Sequence, residues 1–164
     1  MFGFSQNNKL LAVADGRAVP LDEVSDEVFA SGMLGGGFAV QPISGNIYSP
    51  VDGEIVGITE SKHAFTIKSD DGLDVLVHIG IDTVKLGGNG FTPTVREGER
   101  VKTGGLIAKV ELSVIRGAGY DTVIPVVITN PEDMSGVKYR YGDVKGGKST
   151  VISYQIRRSA GINS

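Results

Sequence analysis

The chain has 164 residues, 40% of them hydrophobic, and a net charge of -3, which is enough apolar material for one globular core and too little positive charge for a nucleic-acid surface. Cysteine is absent, so disulfides, thiolate chemistry and sulfur-ligated zinc are excluded, in keeping with a reducing compartment. No apolar run reaches the roughly 20 residues of a spanning helix, and the start Met1-Phe2-Gly3-Phe4-Ser5-Gln6 lacks the regions of a secretion signal, so a cytoplasmic protein outside the membrane is expected.

In chain order, the first ten or so residues are polar or glycine-containing and are expected to fray. Ser25 to Ser31 is a short helical candidate with Ser25 as its N-cap. Strand-like runs follow at Gly37 to Pro42, Asn46 to Ser49, Gly53 to Thr59, Ala64 to Lys68 and Leu73 to Ile79, then at Leu106 to Glu111, Val123 to Thr129 and Ser149 to Ile156. Turn signals separate most of them, among them Ser44-Gly45-Asn46, Pro50-Val51-Asp52-Gly53 and Gly87-Gly88-Asn89-Gly90. Pro131 to Ser135 is a second helical candidate, and the tail after Arg158 is again polar. Many short strands with scarce helix predict an all-β chain, an antiparallel sandwich or barrel with a few short helical turns. The stretches Ser49 to Val56 and Glu97 to Gly104 echo each other as a charged glycine turn beside an apolar strand, which hints at a duplicated motif. No domain boundary is visible, so residues 1–164 are expected to form one domain.

The chain has two histidines, His63 and His78, on either side of the turn signal Ser69-Asp70-Asp71-Gly72. If Lys68 and Leu73 close a symmetric hairpin over that turn, His63 stands directly opposite His78, and directly opposed residues have Cβ atoms roughly 4.5 to 5.5 Å apart. If the tight turn is Asp71-Gly72, the register moves by two and the rings become diagonal neighbours on the same face. By alternation, His63, Phe65, Ile67, Asp74, Leu76 and His78 share one face. Ala64, Thr66, Lys68, Leu73, Val75, Val77 and Ile79 share the other, which is expected to be the core face. Neutral imidazole is a nucleophile, and a second ring nearby can donate a hydrogen bond to an anion attached to the first, a division of labour that suits phosphoryl transfer. Metal binding is the alternative, although two histidines leave a zinc site incomplete unless a partner protein supplies a further ligand. A single histidine on a strand is usually structural.

Lys62-His63-Ala64-Phe65 and Val75-Leu76-Val77-His78-Ile79-Gly80-Ile81-Asp82-Thr83-Val84 closely resemble the glucose-type enzyme IIA of the bacterial phosphoenolpyruvate-dependent sugar phosphotransferase system. The resemblance continues through Gly88-Asn89-Gly90-Phe91, Glu97 to Lys102 and Pro125-Val126-Val127-Ile128-Thr129-Asn130. With Val24 to Ala30 and Ser49 to Gly53 it spans roughly Val19 to Ile156.

That resemblance implies a single type-1 IIA domain, an antiparallel β-sandwich of the duplicated hybrid type with a shallow apolar depression holding both histidines. It implies that His78 accepts a phosphoryl group on Nε2 from the phosphocarrier protein HPr and passes it to the IIB domain of a sugar permease, and that His63 stabilises the phosphoryl group. The backbone carbonyl of Gly80 is expected to hold Nδ1 of His78. Ser61, where the family usually has threonine, is expected to join the hydrogen-bond network. Val28, Phe29, Met33, Leu34, Leu76 and Ile79 are expected in the partner-docking rim, although alternation puts Ile79 in the core, and Asp26 and Asp82 are expected to meet partner arginines. No cofactor is implied beyond a zinc ion shared with a partner between His63 and His78. Regulatory target proteins are implied without being identified by any residue. Gly35-Gly36-Gly37 replaces a stretch where an aspartate commonly sits, which predicts a looser loop, and Ser135 to Lys148 fits the family poorly. Met1 and the short leader favour a free-standing protein. A zinc peptidase and a biotinyl or lipoyl carrier are the competing readings, but the first lacks a third histidine and the second lacks the Met or Asp that flanks the carrier lysine.

Overall fold

The fold is described by a computed structural model over residues 8–157, so the fraying expected at the extreme ends falls mostly outside the described residues. The strands are β1 (Asn8–Leu11), β2 (Gly16–Pro20), β3 (Gly36–Pro42), β4 (Asn46–Tyr48), β5 (Gly53–Ile58), β6 (Ala64–Ser69), β7 (Asp74–His78), β8 (Phe91–Pro93), β9 (Arg100–Val101), β10 (Leu106–Val110), β11 (Ile124–Ile128), β12 (Met134–Tyr139), β13 (Gly142–Val144) and β14 (Thr150–Ile156). Among the described residues helix is confined to α1 (Glu27–Ala30), α2 (Leu112–Gly117) and a few 3-10 turns. No described helix is long and apolar enough to cross a membrane.

An eight-stranded antiparallel sheet runs in the order β13-β2-β3-β11-β7-β6-β5-β9, and two three-stranded sheets, β4-β10-β8 and β1-β14-β12, complete the fold. The expected all-β architecture is therefore present. One face of the large sheet contributes Phe38, Phe65, Ile67, Val75, Val77 and Val126 to the main core, all fully buried, where they meet Ile107 from β10 and Ile152 from β14. A buried aromatic or branched aliphatic side chain removed from water contributes roughly 1.5 to 3 kcal/mol, and strands with one such face are held in register by it. A smaller cluster, Val19, Leu21, Val24, Phe29, Ala39, Ile81, Val123 and Val127, lies apart from it, with Leu76 packed against it. Its members come from the sheet, from the segment around residues 21–29 and, as Ile81 and Val123, from the chain just after β7 and just before β11, and His78 lies two positions along β7 from Leu76.

Three sequence expectations change here. The short helix is capped by Asp26, whose carboxylate accepts the Val28 N–H at 2.8 Å, and not by Ser25. Pro131–Asp133 forms only a 3-10 turn before the chain enters β12. Gly36 and Gly37 are not part of a loop, since they pair with Ile128 and Val127 in the β3–β11 ladder.

The hairpin register also differs from both readings. Ser69 closes the turn with Leu73, its N–H donating to the Leu73 carbonyl at 2.8 Å, while its hydroxyl accepts the Leu73 N–H. That leaves a three-residue loop, Asp70-Asp71-Gly72, with Gly72 in the left-handed region at φ 96°. An odd loop shifts pairing by one residue, so Ala64 opposes His78 and Phe65 opposes Val77. A one-residue shift reverses the faces of β6. Phe65 and Ile67 are buried in the core, not beside the histidines, and Thr66 and Lys68 stand on the outer face. The alternation read for β7 agrees with the structure, with Val75 and Val77 inward and Leu76 and His78 outward.

Candidate functional site

In this register His63 opposes Ile79, whose N–H donates to the His63 carbonyl at 2.7 Å. Strict alternation would send the His63 ring into the core with Ile79. It does not, because β6 begins only at Ala64 and His63 lies on a bend that follows Lys62, a non-glycine residue in the left-handed region at φ 63°. The bend frees the side chain from the pleat, and the two imidazoles meet edge to face with centroids 4.8 Å apart.

The bend is held by Thr59. Its hydroxyl oxygen accepts the backbone N–H groups of His63 and Ala64, both at 3.1 Å, and lies 3.2 Å from Nδ1 of His63. A hydroxyl has one proton and two lone pairs. With both lone pairs engaged by backbone donors, it has only its proton to offer the ring, so Nδ1 of His63 is the acceptor and the neutral ring carries its proton on Nε2. The opposite holds for His78. Its Nδ1 is 2.7 Å from the Gly80 carbonyl, which can only accept, so Nδ1 carries the proton and Nε2 keeps its lone pair. One ring presents a donor and the other a nucleophile.

Burial keeps both rings neutral. His63 is 6% exposed, and desolvation, followed by the neighbouring His78, lowers its pKa to about 4. His78 is also lowered by desolvation, but the Gly80 carbonyl and then the carboxylates of Asp26 and Asp82 pull in the other direction. The ring most able to tolerate positive charge is therefore His78.

Gly80 adopts φ 81°, and a Cβ there would lie 2.5 Å from Cγ2 of Thr83. Glycine is required at this position for the carbonyl to reach back to His78. The Thr83 hydroxyl donates to the Ile79 carbonyl at 2.6 Å, and the N–H groups of Gly80 and Ile81 donate to the carbonyls of Val123 and Asp121. The carbonyl that sets the His78 tautomer thus belongs to a segment tied down on both sides.

The structure sorts the other expected site residues. Val28, Met33 and Leu34 are exposed apolar side chains in the segment around α1, and Leu76 is half-buried beside the small core cluster. Asp82 is exposed at φ 62°, immediately before a 3-10 turn. Phe29 is buried and packs on His78 at a centroid distance of 5.0 Å, so most of its surface faces the ring and the small cluster. Ile79 is fully buried and is removed from the rim, because it follows His78 with opposite parity. Ser61 does not reach either ring. The hydroxyl expected from it is supplied by Thr59, four residues before His63, where a threonine just ahead of a bend was the available sequence signal. Among the described residues no cluster of three His, Cys, Asp or Glu side chains forms a metal site.

An antiparallel β protein with two neutral histidines in complementary tautomers, one braced by a backbone carbonyl and flanked by exposed apolar side chains, has the form of a protein-read histidine carrier site. The family model described as phosphoenolpyruvate-dependent sugar phosphotransferase system, EIIA 1, matches residues 8–134. The chain belongs to this family, whose members are phosphotransferases of sugar uptake. It is 45% identical over 148 residues to the glucose-specific EIICBA component of Streptococcus pneumoniae, covering 90% of this chain and 20% of that one. It is 36% identical over 157 residues to the glucose-specific EIIA component of Haemophilus influenzae, covering 93% and 95% of the two chains. The solved glucose permease IIA from Mycoplasma capricolum superposes with a TM-score of 0.85 at 39% identity, covering 93% of this chain and 99% of that one. The chain therefore spans about a fifth of the fused permease and nearly the full length of the other two.

Proposed function

We propose that the chain is a single-domain cytoplasmic phosphocarrier, in which His78 accepts a phosphoryl group from HPr and delivers it to the IIB domain of a sugar permease. The observation that carries this reading is the pair of contacts that set complementary tautomers, the Thr59 hydroxyl at Nδ1 of His63 and the Gly80 carbonyl at Nδ1 of His78. The Nε2 lone pair of His78 forms the new bond to phosphorus as the bond from phosphorus to the donor breaks. No proton has to leave, because Nδ1–H stays on the Gly80 carbonyl. The ring that results carries positive charge, which that carbonyl and the carboxylates of Asp26 and Asp82 favour. The Nε2–H of His63 is available to a phosphoryl oxygen, as positioned donors are in phosphoryl transfer generally.

Asp26 and Asp82 are also the residues proposed to meet partner arginines, and Val28, Met33, Leu34 and Leu76 those that dock the partner's apolar surface. A zinc ion between His63 and His78 belongs to this reading only when a partner adds a further ligand. The sugar is set by the permease and not by this chain. The relatives differ on that point, one being named for glucose and another, from Dickeya chrysanthemi, for β-glucosides.

Incubation with phosphoenolpyruvate, enzyme I and HPr is expected to add one acid-labile phosphate, lost in His78→Gln. Equal phosphorylation of that variant overturns the assignment. His63→Gln is expected to slow delivery to IIB more than acceptance, and normal delivery removes His63 from the mechanism.

A further inference from the structure

Away from the histidines, an open pocket of about 450 Å³ is lined by Lys9, Lys138, Arg140, Ser153, Thr150 and Tyr139 as its polar residues, with no carboxylate among its lining. The pocket is built by register. Lys9 of β1 and Lys138 of β12 both pair with Ser153 of the central strand β14, so the three residues form one row across the sheet. With neighbouring strands about 4.8 Å apart, the two lysines flank the serine with their Cα atoms roughly 10 Å from each other. Arg140 lies two residues beyond Lys138, where its N–H donates to the Val151 carbonyl.

None of these three cations is in an ion pair among the described residues, although Arg17, Lys68 and Arg100 each are. The protein as a whole is negative, at -3, yet this concavity gathers three positive charges with the hydroxyl groups of Tyr139, Thr150 and Ser153 and no carboxylate in its own lining. Lys9 also borders a neighbouring pocket lined by Asp52, Asp70 and Asp71, so Lys138 and Arg140 are the cations that belong to this space alone. Like charges held together in a concavity raise the local potential and draw in an anion. Ammonium, guanidinium and hydroxyl donors around one space are also the donor set that oxyanions of phosphorus use. The volume is that of a small-molecule site and not of a flat contact with a macromolecule. Five of the six residues, Lys138, Tyr139, Arg140, Thr150 and Ser153, lie beyond residue 134, where the family match ends.

We infer that this pocket binds a small multivalent oxyanion of the phosphate class, at a site separate from the histidine pair. Pyrophosphate titrated into the isotopically labelled protein at constant ionic strength is expected to move the amide signals of Lys9, Lys138 to Arg140 and Thr150 to Ser153 in a saturable way. Lys138→Ala with Arg140→Ala is expected to weaken that binding at least tenfold. All three cationic side chains are exposed, so the double variant is expected to keep the wild-type fold and its phosphorylation by HPr. An absence of saturable shifts at millimolar pyrophosphate overturns the inference. So do equal shifts at lysines elsewhere on the surface, and so does undiminished affinity in the double variant. Vesicles containing phosphatidic acid distinguish the source of the phosphate: co-sedimentation that depends on Lys138 and Arg140, without binding of soluble pyrophosphate, overturns the small-molecule site.

Discussion

Thr59→Val replaces the hydroxyl that turns His63 with a methyl group of nearly the same volume. Two backbone N–H groups at 3.1 Å lose their acceptor, and Nδ1 of His63 loses its donor at 3.2 Å. An unsatisfied buried polar group costs roughly 1 to 3 kcal/mol. The site is only partly buried, so water recovers part of this, and we expect a net loss of about 2 kcal/mol in urea unfolding. The functional loss has a separate origin. One neutral hydrogen bond, worth about 1 kcal/mol, holds the proton of His63 on Nε2. Without it both tautomers populate, and the donor facing His78 is present only part of the time. With the donor tautomer reduced from most of the population to about half, delivery of phosphate to IIB is expected to slow by about twofold. Nitrogen-15 chemical shifts of the His63 ring read the tautomer directly, and quench-flow transfer of labelled phosphate reads the rate. Thr59→Ser keeps the hydroxyl and is expected to restore both. A Thr59→Val protein that retains the wild-type His63 nitrogen shifts, or transfers at the wild-type rate with altered shifts, refutes the link from hydroxyl to tautomer to transfer.

The His63 pKa of about 4, against 6.5 for an unperturbed ring, makes stability depend on pH. Between those values the unfolded chain binds a proton that the native chain does not, so stability is fully present above pH 6.5 and declines as pH falls toward 4, by about 3 kcal/mol. His63→Gln should flatten that part of a urea-midpoint profile, whereas an unchanged slope contradicts the lowered pKa. Gly80→Ala introduces a Cβ 2.5 Å from Thr83 at a positive φ; we expect the carbonyl to move off His78 and acceptance from HPr to slow, with circular dichroism showing a retained sheet. Phe65→Ala is expected to cost 3 to 5 kcal/mol by thermal or urea unfolding, as for large core truncations generally, about the upper end because the ring is fully buried. A loss below about 1 kcal/mol would return Phe65 to the outer face.

Much of the site was legible without coordinates because its information is local. The run Asp74 to His78 alternates apolar and polar residues, and alternation alone put Val75 and Val77 inward and His78 outward. The Gly80 carbonyl that holds the His78 ring was implied by the family resemblance of Val75 to Val84 and not by alternation. The strands read at Gly53 to Thr59, Leu106 to Glu111 and Val123 to Thr129 lie within a residue or so of β5, β10 and β11. By contrast β1, β2, β8, β9, β12 and β13 were not read, since most are only two to five residues long and β12 mixes serine, glycine and lysine among its apolar positions.

The amino-acid sequence by itself determined that two histidines flank one turn in an all-β chain and that His78 faces outward. Only the tertiary structure decided that they touch. Whether the loop between β6 and β7 has two, three or four residues depends on how the Ser69 hydroxyl and Gly72 share the turn, and each extra residue reverses a whole strand face. In the register adopted, alternation alone would separate the rings. They are brought together by Lys62 in the left-handed region and by a threonine hydroxyl four residues away, contacts that follow from chain path and not from periodicity.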